Sequence, residues 1–138
     1  MKKILVATDG SEHAKRALEK AIELAGKEED SVINLMYVVD GETSKSDVLQ
    51  YGDSDTASFK REKKLQESVD LVEAKGIKTK LMIEHGDPEE VLIDHANSND
   101  YDLVLVGSRG RNKFQTMVLG SVSHKLVKHI DAPVMVVK

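Results

Sequence analysis

Residues able to bind or transform a ligand concentrate between Gly107 and Ser123. Gly107-Ser108-Arg109-Gly110 is followed, nine residues on, by Gly120-Ser121-Val122-Ser123. Glycine lets a backbone approach phosphate oxygens and take up turns closed to other residues. A helix opening at Gly120-Ser121 would add unpaired N–H groups and the positive end of its dipole. Together the two segments have the makings of an anion cradle. Ser121 and Ser123 supply hydroxyl donors, and Arg109, Arg111 and Lys113 supply cations. For any one glycine a plain turn is the simpler account, and for Ser121 a helix cap. Their pairing after an apolar strand is what points to a ligand. A second polar group, Thr8-Asp9-Gly10-Ser11, follows the first apolar run. Asp9 and Glu12 also have the spacing of a capping box, worth about 1 kcal/mol with no ligand present.

Other chemistries fail on residue type or spacing. A Walker loop needs a glycine five residues after the first, and neither Gly107 nor Gly110 has one. A dinucleotide fingerprint needs three glycines after the first strand, where Gly10 stands alone. G-S-R-G is not the G-x-S-x-G elbow, so Ser108 reads poorly as a nucleophile. With no cysteine, disulfides and thiolate chemistry are excluded. His13, His85, His95, His124 and His129 show no ligand-like pairing on one helical face, so side chains alone form no metal site. Twenty Lys and Arg against 24 Asp and Glu give a net charge of −4, which argues against a nucleic-acid binder. Aromatic residues are 4% of the chain, too few for a base-stacking platform. The run Lys60, Arg61, Lys63 and Lys64 reads as a solvated helical face.

These residues need a frame. At 138 residues the chain suits one domain with one core. Ile4 to Thr8, Val32 to Val39, Leu103 to Val106 and Val134 to Val137 are short, β-branched and nearly continuously apolar, with Lys80 to Glu84 a weaker fifth. Strands covered on both faces read this way. Between them lie helical stripes. Ala14, Ala17, Leu18, Ala21, Ile22 and Ala25 end at Gly26, and Leu65, Val69 and Val72 close at Gly76. Asp87-Pro88-Glu89-Glu90 opens a third helix through about Ala96. Val122, Leu126 and Ile130 mark the last, before Pro133. Asp40 to Thr56 is a long polar interval, whose composition predicts a mobile loop.

This alternation predicts an α/β fold: one open, doubly wound, five-stranded parallel sheet in the order 3-2-1-4-5. Strands one and four then meet at the switch point, and ligands bind beyond their carboxyl ends. Thr8-Asp9-Gly10-Ser11 and Gly107-Ser108-Arg109-Gly110 fall there. No segment approaches the roughly 20 apolar residues of a membrane span, and the opening apolar run is too short for a signal peptide. The expectation is a cytoplasmic protein with no membrane partner.

The spacing G-x2-G-x9-G-[ST], met by Gly107, Gly110, Gly120 and Ser121, resembles the ATP-binding signature of the universal stress protein family. Ile4 to Ser11, Tyr37-Val38-Val39-Asp40, Gly86-Asp87-Pro88, Leu103 to Gly110 and Ala132 to Val137 resemble that family in order. The likeness covers residues 1–138 apart from the 40–56 interval, and it implies a flavodoxin-like, adenine nucleotide alpha hydrolase-like fold. It implies further that Asp9, beside Thr8, contacts the ribose or phosphates and that backbone around Val38 borders adenine. Gly107, Arg109, Gly110, Gly120, Ser121, Val122 and Ser123 would then contact ribose and phosphates. Mg or Mn would arrive through the bound phosphates. Arg111 to Gln115 is more polar and basic than the usual family loop.

The function expected is ATP binding by a stress-response regulator that signals through conformation. No general base stands out, so any hydrolysis would be slow. The rivals are an interaction module of the same fold with an empty pocket, and a weak ATPase. The apolar edge Val134 to Val137 predicts pairing with its twofold mate, and family members commonly dimerise there.

Overall fold

A computed structural model describes residues 3–26, 29–39, 54–107 and 121–138. Among these residues nine elements follow one another: β1 (Lys3–Ala7), α1 (Glu12–Ala25), β2 (Val32–Val39), α2 (Ser54–Glu73), β3 (Lys78–His85), α3 (Pro88–Asn97), β4 (Leu103–Gly107), α4 (Ser121–His129) and β5 (Val134–Val137). The strands form one sheet in the order β3-β2-β1-β4-β5, every pair parallel. This is the predicted topology, and its helices cover both faces.

Side chains alternate between the faces of a strand, and both faces are buried here, so the strands read as unbroken apolar runs. Ile4, Val6, Ile33, Leu35, Leu103 and Leu105 face the layer of α1 and α2, packing with Ala17, Leu18, Ala21, Val69 and Val72. Leu5, Met36, Val104 and Val106 face the layer of α3 and α4, packing with Leu92, Ala96 and Leu126. A one-residue slip in any central strand would exchange these two sets.

β3 is the exception to the run rule. It is eight residues long, where the apolar reading isolated only Lys80 to Glu84. As an outer strand it keeps Lys78, Lys80 and Glu84 exposed, and charge at an edge opposes pairing with another chain. The predicted 40–56 interval also shortens, because α2 already runs from Ser54. Its remainder, 40–53, lies outside the described residues.

Local chemistry sets the helix ends. Asp87 caps α3 by accepting from the Glu90 N–H at 3.1 Å, with Pro88 in the first turn, as the sequence predicts. α1 departs from expectation: its cap is Ser11, whose Oγ accepts from the Ala14 N–H at 3.2 Å. The third helical residue after Ser11 is therefore Ala14, so the Asp9–Glu12 capping box does not form. Asp9 stands before the cap, where its Oδ1 accepts from the Ser11 N–H instead.

Candidate functional site

β1 does not end abruptly at Ala7. The Thr8 N–H still donates to the Met36 carbonyl at 2.9 Å, extending the β1–β2 ladder by one residue. Gly10 then turns the chain toward α1 at φ +80°, in the left-handed region that favours glycine. Short bonds set the turn. Thr8 Oγ1 accepts from the Gly10 N–H at 3.3 Å, and Asp9 Oδ1 accepts from the Ser11 N–H at 2.9 Å. The Asp9 residue is only 8% exposed. Carboxylates are seldom buried so far without partners. Asp9 is thus oriented from its own turn at the carboxyl end of the central strand.

β4 ends beside this turn. Ile4, Leu5 and Val6 lie in register with Leu103, Val104 and Leu105, which brings Gly107 to the level of the β1 exit. Gly107 abuts the first turn of α1: a Cβ there would stand 2.8 Å from the carbonyl carbon and oxygen of His13 and 3.0 Å from the Ala14 nitrogen. The sequence offered a turn or a phosphate contact for this glycine. The fold adds a third reason, which only the packing reveals: the start of α1 can close onto β4 because no side chain intervenes.

Thr8, Asp9 and Gly107 are therefore brought together at the switch point. Val38 is half-buried near the carboxyl end of β2, opposite Glu84 of β3, and packs toward the α3–α4 layer. α4 begins at Ser121, with Val122 and Ser123 in its first turn. Arg109, Gly110 and Gly120 lie outside the described residues.

The cationic run on α2 is only partly a solvated face. Lys60 and Lys63 are exposed, but the Arg61 guanidinium lies 5.6 Å from the centre of the buried Tyr37 ring. The Lys64 side chain also crosses Gly10, its Cδ 3.7 Å from where a Cβ on that glycine would be. Helical spacing places both residues on the side of α2 nearest the sheet's carboxyl end, a placement the charge pattern did not disclose. On the other layer, Lys125 of α4 pairs with Glu89 of α3 at 3.2 Å. Among the described residues, no three His, Asp or Glu side chains gather to hold a metal.

A second polar cluster, missed in the sequence, lies away from this turn. Tyr101, 7% exposed, receives a bond from Asn34 Nδ2 at 2.9 Å and meets His95 Nε2 at 2.6 Å. Burial, then the charge of Lys3, holds the His95 imidazole below its ordinary pKa. Burial likewise raises the Tyr101 phenol, against a smaller lowering by Asn34. The five histidines had been scanned for metal-ligand spacing, and a Tyr–His bond between a helix and the following loop has no such spacing to find.

The parallel order, the reversal between β1 and β4 and the polar turn beyond them define an open α/β protein of the flavodoxin-like, nucleotide alpha hydrolase-like class. The chain belongs to the universal stress protein family, whose match spans residues 1–138. Universal stress protein YxiE of Bacillus subtilis is 30% identical over 146 residues, covering 99% of this chain and 98% of the relative. The solved structure of the hypothetical protein MJ0577 superposes with a TM-score of 0.81 at 28% identity, covering 99% of this chain and 95% of the other. A universal stress protein family protein of Arabidopsis thaliana, solved with AMP bound, gives a TM-score of 0.69 at 25% identity, covering 100% and 92%. No helix among the described residues is long and apolar enough to cross a membrane.

Proposed function

We propose that this chain is a nucleotide-binding stress-response protein whose ligand is ATP, held beyond the carboxyl ends of β1 and β4. The observation that carries the reading is the convergence of a buried, oriented carboxylate, Asp9, with Gly107 at the switch point. The AMP carried by the Arabidopsis relative supports an adenine nucleotide. In this reading Asp9, next to Thr8, takes the ribose or phosphate end, and backbone at Val38 borders the base. Gly107, Arg109 and Gly110, with Gly120, Ser121, Val122 and Ser123, take ribose and phosphates. Backbone N–H groups at the start of α4 suit a polyanion, because the first turn of a helix leaves them without partners.

Mg or Mn would come with the triphosphate, held chiefly by phosphate oxygens and water. In this reading the protein acts in the cytoplasm by binding and conformational signalling. The decisive measurement is the nucleotide released on denaturing rapidly purified protein, together with thermal unfolding. ATP at 100 times its dissociation constant should add about 2.7 kcal/mol. Gly120→Val should abolish that gain by placing a branched side chain where phosphate must approach. An unshifted wild-type transition would leave an interaction module of the same fold.

A further inference from the structure

α2 carries its charges in an order that its own dipole does not favour. Residues 60–64 hold four cations, Lys60, Arg61, Lys63 and Lys64, and one acid, Glu62. From there to its end the charged residues are all acids, Glu67, Asp70 and Glu73, and the last turn has no base. A helix is stabilised by acids in its first turn and bases in its last, so its own stability does not account for this order. The cations lie toward the carboxyl end of the sheet. Arg61 sits over the ring of Tyr37, near the end of β2, and α2 then leads back to Lys78, which pairs with Val32 at the start of that strand. Leu65, 1% exposed, turns into the core and leaves its neighbour Lys64 exposed at the rim of the packed face. The Lys64 stem lies over Gly10, its Cδ 3.7 Å from where a Cβ on that glycine would be. Its ammonium, two bonds further on, is therefore close to the Asp9–Gly10–Ser11 turn and open to solvent.

We propose that Lys64 is a phosphate-binding residue of the nucleotide site, reaching across Gly10 from α2 to the polyphosphate tail; this rests on the nucleotide reading given above. The turn itself brings the wrong charge for such a ligand. Asp9 is a buried carboxylate, Glu12 follows in the first turn of α1, and both repel a polyanion. A cation arriving from α2 offsets that repulsion and forms a charge-assisted bond with a phosphate oxygen. Arg61, one turn earlier, shares the helix face from which Lys64 reaches. A lysine stem lying over a backbone can also serve packing alone. The two roles part when the charge is removed and the stem kept. The class of ligand follows: a nucleoside with a phosphate tail gains affinity from Lys64, and the bare nucleoside does not.

Calorimetric titration of the full chain with ATP and with adenosine tests this. Lys64→Met keeps most of the stem and loses the charge, so its ATP affinity should fall about tenfold, as for a lost bond to a charged group, while adenosine binds as before. Lys64→Arg should recover most of the loss. Lys60→Met, which removes an exposed cation one turn earlier, should bind ATP as the wild type does. In the wild type, the NMR signal of the Lys64 side chain should move on adding ATP and stay in place on adding adenosine, a reading that holds even if a variant folds poorly. ATP affinity undiminished in Lys64→Met, equal losses of ATP and adenosine affinity, or a Lys64 signal unmoved at saturating ATP overturns the role of Lys64 and leaves the nucleotide reading standing. A wild type that binds no ATP overturns both.

Discussion

Gly107 and His13 touch through their backbones: a Cβ on Gly107 would stand 2.8 Å from the His13 carbonyl carbon and oxygen. Neither partner is the free end of a flexible side chain, so relief would require α1 or β4 itself to move. Gly107→Ala is expected to destabilise the apo protein by about 1–3 kcal/mol, the usual cost of overpacking. Urea unfolding checks this, and a midpoint equal to wild type would show that α1 can retreat without loss.

Asp9→Ala tests whether the buried carboxylate serves the turn or a ligand. The substitution removes the acceptor of the Ser11 N–H and is expected to cost about 1 kcal/mol of apo stability, comparable to loss of a helix cap. ATP affinity should fall by a larger free energy than that. Calorimetry beside urea unfolding compares the two, and undiminished affinity would reduce Asp9 to a turn residue.

Tyr101→Phe deletes the hydroxyl between Asn34 and His95 and leaves buried polar atoms without it. A loss of about 1–3 kcal/mol is expected. The wild type should also have a pH signature at both extremes. The folded state holds the His95 pKa down, so it binds fewer protons than the unfolded chain, and stability falls as pH drops below 6.5. It holds the Tyr101 pKa up, so stability falls again as pH rises above 10. In Tyr101→Phe the alkaline limb should flatten, as unfolding curves across the range would show.

β5 pairs with β4 through Val134, Met135, Val136 and Val137, and its four residues are only half-buried. As an outer strand it lacks the charges that guard β3 at the opposite edge. Sedimentation at micromolar concentration should show a twofold dimer formed along this strand, and Val136→Pro, which removes a backbone donor, should shift it toward monomer. A 15.3 kDa species alone in the wild type would contradict the pairing.

The legible parts of the fold were those where one local rule governs. Strands β1, β2 and β4 are buried on both faces and β5 is half-buried but carries no charge, so their apolar runs marked them, while β3 was half hidden by the lysines of an edge. Asp87 with Pro88 announced α3, because cap and first-turn residue are adjacent in the chain. The capping box that Asp9 and Glu12 offered beside a ligand role does not form, since Asp9 and Ser11 are both good caps and only the turn at Gly10 chooses between them. Of the candidate site, Thr8, Asp9 and Gly107 were found from residue type and position after a strand.

The amino-acid sequence by itself determined the order of elements, the parallel sheet and the two polar segments that follow its central strands in the chain, because periodicity, caps and glycines act over a few residues. Only the tertiary structure decided which groups meet. Arg61 reaches Tyr37, Lys64 crosses Gly10, Gly107 meets His13, and Asn34, 67 residues before Tyr101, joins it and His95 in one chain of hydrogen bonds. Such contacts depend on the strand register and on which face each helix covers, and no spacing along the chain encodes a distance between residues on different elements.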